Sequence, residues 1–109
     1  TKANVKKIIF VCGIGKMTKV YQGFKNTHNR FGSIDLVQLK KDINENLNYE
    51  VDIESTKTVK GISLELEKIS LDIKFYEMIS IKANEQIKKW FPTSNVEAII
   101  LEQNEVIKW

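Results

Sequence analysis

"KKIIFVCGIGKMTK", residues 6–19, decides how this chain is read. Lys6 to Cys12 is an apolar, β-branched run without the alternation of a half-exposed strand, and it stops at Gly13. That pattern predicts a central parallel strand covered on both faces. From Met17 the apolar spacing changes to three and four residues. Met17, Val20, Tyr21, Phe24 and Phe31 form one face of a helix that Gly32 ends, although Gly23 in its middle weakens it by about 1 kcal/mol relative to alanine. Strand, glycine turn and helix make the first unit.

Outward from this unit, "SIDLVQ" (Ser33 to Gln38) reads as a second strand, and Leu39, Ile43 and Leu47 as one face of a short helix. "YEVDIEST" (Tyr49 to Thr56) alternates and reads as a third strand, partly exposed because of Glu50, Asp52 and Glu54. Between Val59 and Ile81 the apolar positions match a helical and a two-residue period at once, and Gly61, Ser63, Ser70 and Ser80 disfavour a long helix. Ile73 to Ile79 therefore reads as a fourth strand, after an irregular segment that begins at Val59. "KANEQIKKWF" closed by Pro92 is a helix, and Ser94 or Asn95 caps a last helix in preference to a hairpin. The order predicts an α/β domain with an open, mostly parallel four-stranded sheet flanked by helices on both faces, of flavodoxin-like type. Ligands in such sheets bind at the carboxyl ends of the strands, where Cys12 and Gly13 lie.

Composition restricts the function classes. The 109 residues make one domain, and 42% apolar with 28% charged residues is a globular balance. No run is long enough to span a bilayer and no signal peptide is visible. One cysteine and one histidine exclude a disulfide scaffold and a Cys/His metal site, and place the chain in a reducing cytoplasm. The net charge of +3, with lysines spread among nearly as many carboxylates, does not form a nucleic-acid stripe. No cofactor is implied. The opening "TKANV" without methionine suggests a piece of a longer protein.

The glycine turn fails two nucleophile and phosphate motifs. A P-loop, G-x-x-x-x-G-K-[ST], would need glycine where Phe10 stands and a hydroxyl where Met17 stands, although "AIILE" at 98–102 imitates the strand that carries the second nucleotide motif. A cysteine phosphatase, C-x5-R, would need arginine at Thr18. What remains is a cysteine before a helix N-terminus. Unpaired backbone N–H groups at that helix start are expected to bind an anion, with Lys16 adding positive charge and Thr18 a hydroxyl, and the dipole to lower the Cys12 pKa toward thiolate. The plainer alternative is a small buried cysteine before a structural turn.

The same residues resemble the active-site segment of the IIB components of the bacterial sugar phosphotransferase system, in the lactose, galactitol and ascorbate-like group. That pattern is a strand ending in C-G-x-G-x-G-T-S. "SIDLVQL", "VDIEST" and "LDIKFYEMISIKANEQIKKWF" are similar, in order, to the second strand, the third strand with its loop, and the fourth strand with its helix in that family. The resemblance implies a linker at 1–5, a IIB-like core at 6–91 and a C-terminal extension at 92–109. It also implies that Cys12 is the phosphoryl acceptor and that Gly13, Ile14, Gly15, Lys16, Met17 and Thr18 form the phosphate loop.

Met17 replaces a family glycine and Lys19 the serine. A kept cysteine in an eroded loop is similar to the IIB-like domains that end Mga and AtxA type virulence regulators of Gram-positive bacteria. That resemblance implies sensing of phosphotransferase state, with IIA-like proteins or HPr as partners, and self-association. DNA binding is left to other modules. The alternatives are a working IIB component passing phosphoryl from a IIA histidine to a sugar, and a structural dimerisation module with an inert cysteine. His28 and the lysines at 57, 60, 88 and 89 read as solvated surface, Trp90 and Phe91 as core, and Trp109 as a core anchor or an interface residue.

Overall fold

In the computed structural model, Gly13 divides a strand from a helix as the sequence predicts. The structure describes residues 7–23, 34–102 and 105–106, with the side chains of Glu102, Glu105 and Val106 left aside. Strand β1 (Lys7–Cys12) is followed by helices α1 (Ile14–Tyr21), α2 (Leu36–Leu47), α3 (Ile53–Thr56), α4 (Val59–Lys68) and α5 (Asp72–Trp90), and then by strands β2 (Asn95–Glu102) and β3 (Glu105–Val106). Residues 1–5, Phe24, His28, Phe31, Gly32 and Trp109, for which the sequence gives expectations, lie outside the described residues. Among the described residues the sheet has three strands in the order β1-β2-β3, the first pair parallel and the second antiparallel.

The expected four-stranded, mostly parallel sheet is therefore overturned, for local reasons that can be named. The second strand becomes the start of α2, because the Asp35 carboxylate accepts from Gln38 N at 3.0 Å and caps a helix whose Leu39 and Ile43 are fully buried. The third becomes α3, because Asp52 accepts from Glu54 N and Ser55 N and turns the chain after the buried Val51. The fourth is part of α5, whose Phe75, Ile79, Ala83 and Ile87 follow a spacing of four and are each fully buried. The last helix becomes β2 and β3, and Asn95 begins a strand where it was expected to cap. α1 also ends earlier than expected: Gly23 follows it with φ 99°, a left-handed turn, and does not lie within the helix.

Helix α5 is the centre of the molecule, packing on α1, α2, α4 and β2. Its apolar face meets Met17 and Val20 of α1, Ile62 and Leu66 of α4, Leu39 and Ile43 of α2, and Ala98 and Ile100 of β2 in one core. Each large side chain removed fully from water there contributes about 1.5–3 kcal/mol. Polar ties align the elements. Ser80 Oγ donates to Ala98 O at 2.7 Å between α5 and β2, Ser63 and Tyr76 hydroxyls bond at 2.5 Å between α4 and α5, and Tyr21 OH donates to Asp42 between α1 and α2. Thr58 caps α4 through Gly61 N at 2.9 Å. Trp90 packs on the core as expected, whereas Phe91 is exposed.

Among the described residues the sheet is covered on one face only. Ile8, Phe10 and Cys12 of β1 lie in register with Val96, Ala98 and Ile100 of β2 beneath the helices. Lys7, Ile9 and Val11 alternate to the other face, beside Glu97, Ile99 and Leu101. Ile9 is 52% exposed and Val11 49%, so the prediction of a strand buried on both faces also fails. Among the described residues β1 lies at the edge of the sheet, beside β2 and α1.

Candidate functional site

Every residue of the expected phosphate loop is described, and the fold distributes them over three environments. Gly13 is the N-cap of α1 in extended backbone and, having no side chain, makes no side-chain cap; its carbonyl accepts from Met17 N at 2.9 Å. Gly15 faces open space, since a Cβ there would meet nothing within 4 Å. Lys16 is exposed. These three remain at the end of the strand, where the first amides of a helix and a cation can meet an anion.

Ile14, Met17 and Thr18 point the other way. Ile14 and Met17 are buried in the core, and Met17 is fully so. The Thr18 hydroxyl is fully buried and donates to Ile14 O at 2.8 Å, one helical turn back, so it does not reach a loop ligand. The sequence places a hydroxyl near the turn, but only the helical phase decides which face it takes. Met17 and Thr18, adjacent to each other, both fall on the core side of α1.

Cys12 is half-buried on the helix-covered face of the sheet, and its thiol makes a weak contact with Met17 Sδ at 4.0 Å. Desolvation pushes its pKa up to about 11, and the nearby charge of Lys16, which acts in the opposite sense, does not offset this. The expectation of a pKa lowered toward thiolate is therefore corrected. Burial against a thioether outweighs one exposed ammonium.

A cleft of about 430 Å³ adjoins Gly15, lined by Ile34, Leu36, Lys57, Thr58, Val59 and Lys60. The sequence reading set Lys57 and Lys60 among ordinary surface lysines, and the signal that brings them here is the cap at Thr58, which starts α4 beside α1. Two further clefts are lined mainly by polar residues. One of about 380 Å³ holds Tyr21, Gln22, Asp35, Gln38 and Asp42. Burial, with the bond to Asp42 next, raises the Tyr21 pKa, and Gln38 Nε2 donates to the other Asp42 oxygen at 3.0 Å. The other cleft, also about 380 Å³, lies between α5 and the start of β2 and is lined by Asn84, Glu85, Lys88, Asn95 and Val96. There Asn84 Oδ1 is buried without a hydrogen-bond partner among the described residues.

Among the described residues no cluster of three His, Cys, Asp or Glu side chains could hold a metal, and no helix is long and apolar enough to cross a membrane. The "AIILE" run is strand β2 beside β1, but the place of the magnesium-binding hydroxyl is taken by the buried Met17. No protein-family model matches the chain, and no solved structure matches it.

Proposed function

We propose that this chain is a non-catalytic association module of a cytoplasmic regulator, in which Cys12 is a packing residue and does not carry phosphoryl. The observation that carries the reading is the position of Cys12: on the covered face of the sheet, against Met17, with its pKa pushed up to about 11. A phosphoryl acceptor must present a thiolate to its donor. Thr18, buried and bonded to Ile14 O, adds no loop contact for a phosphoryl oxygen.

The kinship to IIB-like regulatory domains of Gram-positive transcription regulators rests, on this reading, on residues 6–19. The strand, the Cys-Gly turn and the helix are present there in the family's order, and the helix of the last matched segment is kept within α5, whereas the second, third and fourth matched strands are helical. Sugar transport through a phosphocysteine is correspondingly disfavoured. Self-association is supported by the exposure of Ile9, Val11 and Leu101 on the face of the sheet that none of the described helices covers, since exposed apolar surface marks interaction sites.

Incubating the chain with HPr, a IIA protein, the first phosphotransferase enzyme and labelled phosphoenolpyruvate tests this. The expected result is no acid-labile, thiol-linked label. Label on the wild type that is absent from Cys12→Ser would restore the phosphoryl-sensing reading, and its onward transfer to sugar in the presence of a membrane IIC would restore the transport reading.

A further inference from the structure

We propose that the cleft beside Gly15 binds a small organic anion, with a compact apolar body between α1 and α4 and its negative charge against Lys57 and Lys60. The inference goes beyond the association reading and holds whether or not the chain pairs with itself. The cleft, of about 430 Å³, falls within the roughly 300–1,000 Å³ of small-molecule sites, which combine apolar walls with a few placed polar groups. Its lining divides in that way. Val59 is buried, and Ile34 and Leu36 pack against the core, so these three give the cleft apolar walls. Lys57 and Lys60 are exposed and bring two positive charges to it from the junction of α3 and α4.

The charge of the lining selects the occupant. Among the described residues that border the cleft, none is Asp or Glu. Residues 1–6 and 24–33 contain no Asp or Glu either, and the second run adds Lys25 and Arg30, so neither supplies the charge that complements these lysines. An external anion does. A bare inorganic ion would leave the apolar walls in water, and a neutral apolar body would leave the lysine charges unanswered. The ligand class is therefore an oxyanion carried on an aromatic or short aliphatic body. Cys12 is not among the residues that border the cleft, so binding there requires nothing of the thiol.

Two positions separate binding from folding. Gly15 borders the cleft, and a Cβ on it would meet nothing within 4 Å, so the space beside α1 is open to a ligand or to a side chain. Lys57 has φ 63°, in the left-handed region that favours glycine, so folding alone is served at least as well by glycine there. On this proposal the position keeps a lysine for its charge, since local rules give way where a site needs a particular group.

Titrating the isotope-labelled full chain with naphthoate, naphthamide and acetate, followed by amide NMR signals, separates body from charge. Naphthoate is expected to bind with a dissociation constant between about 10 μM and about 1 mM, shifting the signals of Gly15, Leu36 and Lys57 to Lys60. Naphthamide, which lacks the charge, and acetate, which lacks the body, are expected to bind at least about tenfold more weakly. Raising salt to about 0.5 M is expected to weaken naphthoate and leave naphthamide unchanged. Lys57→Gly, which suits the backbone, is expected to raise the naphthoate dissociation constant about fivefold or more without lowering the thermal midpoint. Gly15→Leu, a better helix former whose Cβ meets no atom, is expected to block naphthoate and naphthamide alike. Lys57→Gly decides the matter alone should Gly15→Leu not fold. No amide shift at about 10 mM naphthoate, equal affinity for naphthoate and naphthamide, or naphthoate binding indifferent to Lys57→Gly overturns the proposal and leaves the association reading in place.

Discussion

The placement of Cys12 predicts an unreactive thiol, and the size of the effect can be worked out. Its pKa rises from 9.0 to about 11, with burial the main cause. At any pH below both values the thiolate fraction then falls about a hundredfold on folding. The thiolate that does form is more nucleophilic, and a Brønsted slope of about 0.4–0.5 over two pKa units returns a little under tenfold. A deficit of about tenfold remains from ionisation alone, and half-burial beside Met17 adds to it. The assay is the second-order rate with an aromatic disulfide reagent from pH 6 to pH 10, on the native chain and in urea. The native rate is expected to be at least about tenfold lower at pH 8, and still rising at pH 10. A native rate equal to or above that in urea, or one that levels off near pH 7, would refute the argument and show that the α1 N-terminus and Lys16 control the sulfur.

Three further outcomes follow from packing, and one from pH. Met17→Gly, which would match the IIB pattern at that position, is expected not to open a phosphate loop. It empties a fully buried site and places glycine in α1, costing about 3–5 kcal/mol by urea unfolding. Gly61→Ala, normally a gain in a helix, is expected to destabilise by about 1–3 kcal/mol, because its Cβ would lie 2.4 Å from the backbone oxygen of Thr56 and 3.2 Å from the capping Thr58 Oγ1. A thermal midpoint at or above wild type would contradict that geometry. Ser80→Ala removes the donor to Ala98 O and is expected to cost about 1–3 kcal/mol, measured by the same unfolding. Because the folded Cys12 pKa lies above the unfolded one, its stabilising contribution is complete below about pH 9 and is lost as pH rises toward 11. The difference in unfolding midpoint between wild type and Cys12→Ser should shrink or reverse over that window.

Much of the local structure is legible in the residues. Gly13 marks the strand-to-helix turn, Leu39 and Ile43 mark the buried face of α2, and the helix formers of "KANEQIKKW" give the second half of α5. The caps at Asp35, Asp52 and Thr58 are also local signals; the first two are outweighed by apolar runs that suggest strands, and the third by a segment whose apolar positions match two periods at once. The site was half legible. Its turn, Gly15 and Lys16 lie where expected, whereas the facing of Cys12, Met17 and Thr18 depends on the phase of α1 against α5, which spacing around the turn leaves open.

The sequence alone determines the first strand, its glycine turn and the helix that follows, because those choices depend on neighbours within a few residues. Only the tertiary structure decides that Ile73–Ile79 is helix and Asn95–Glu102 is strand. A helix closes its hydrogen bonds within its own segment, and α5 has a full face to bury. A strand must borrow its partner from elsewhere in the chain. β1 finds that partner more than eighty residues later, residue by residue from Lys7 with Asn95 to Cys12 with Ile100, and this pairing carries Cys12 beneath the helices, away from the turn that it seemed to serve.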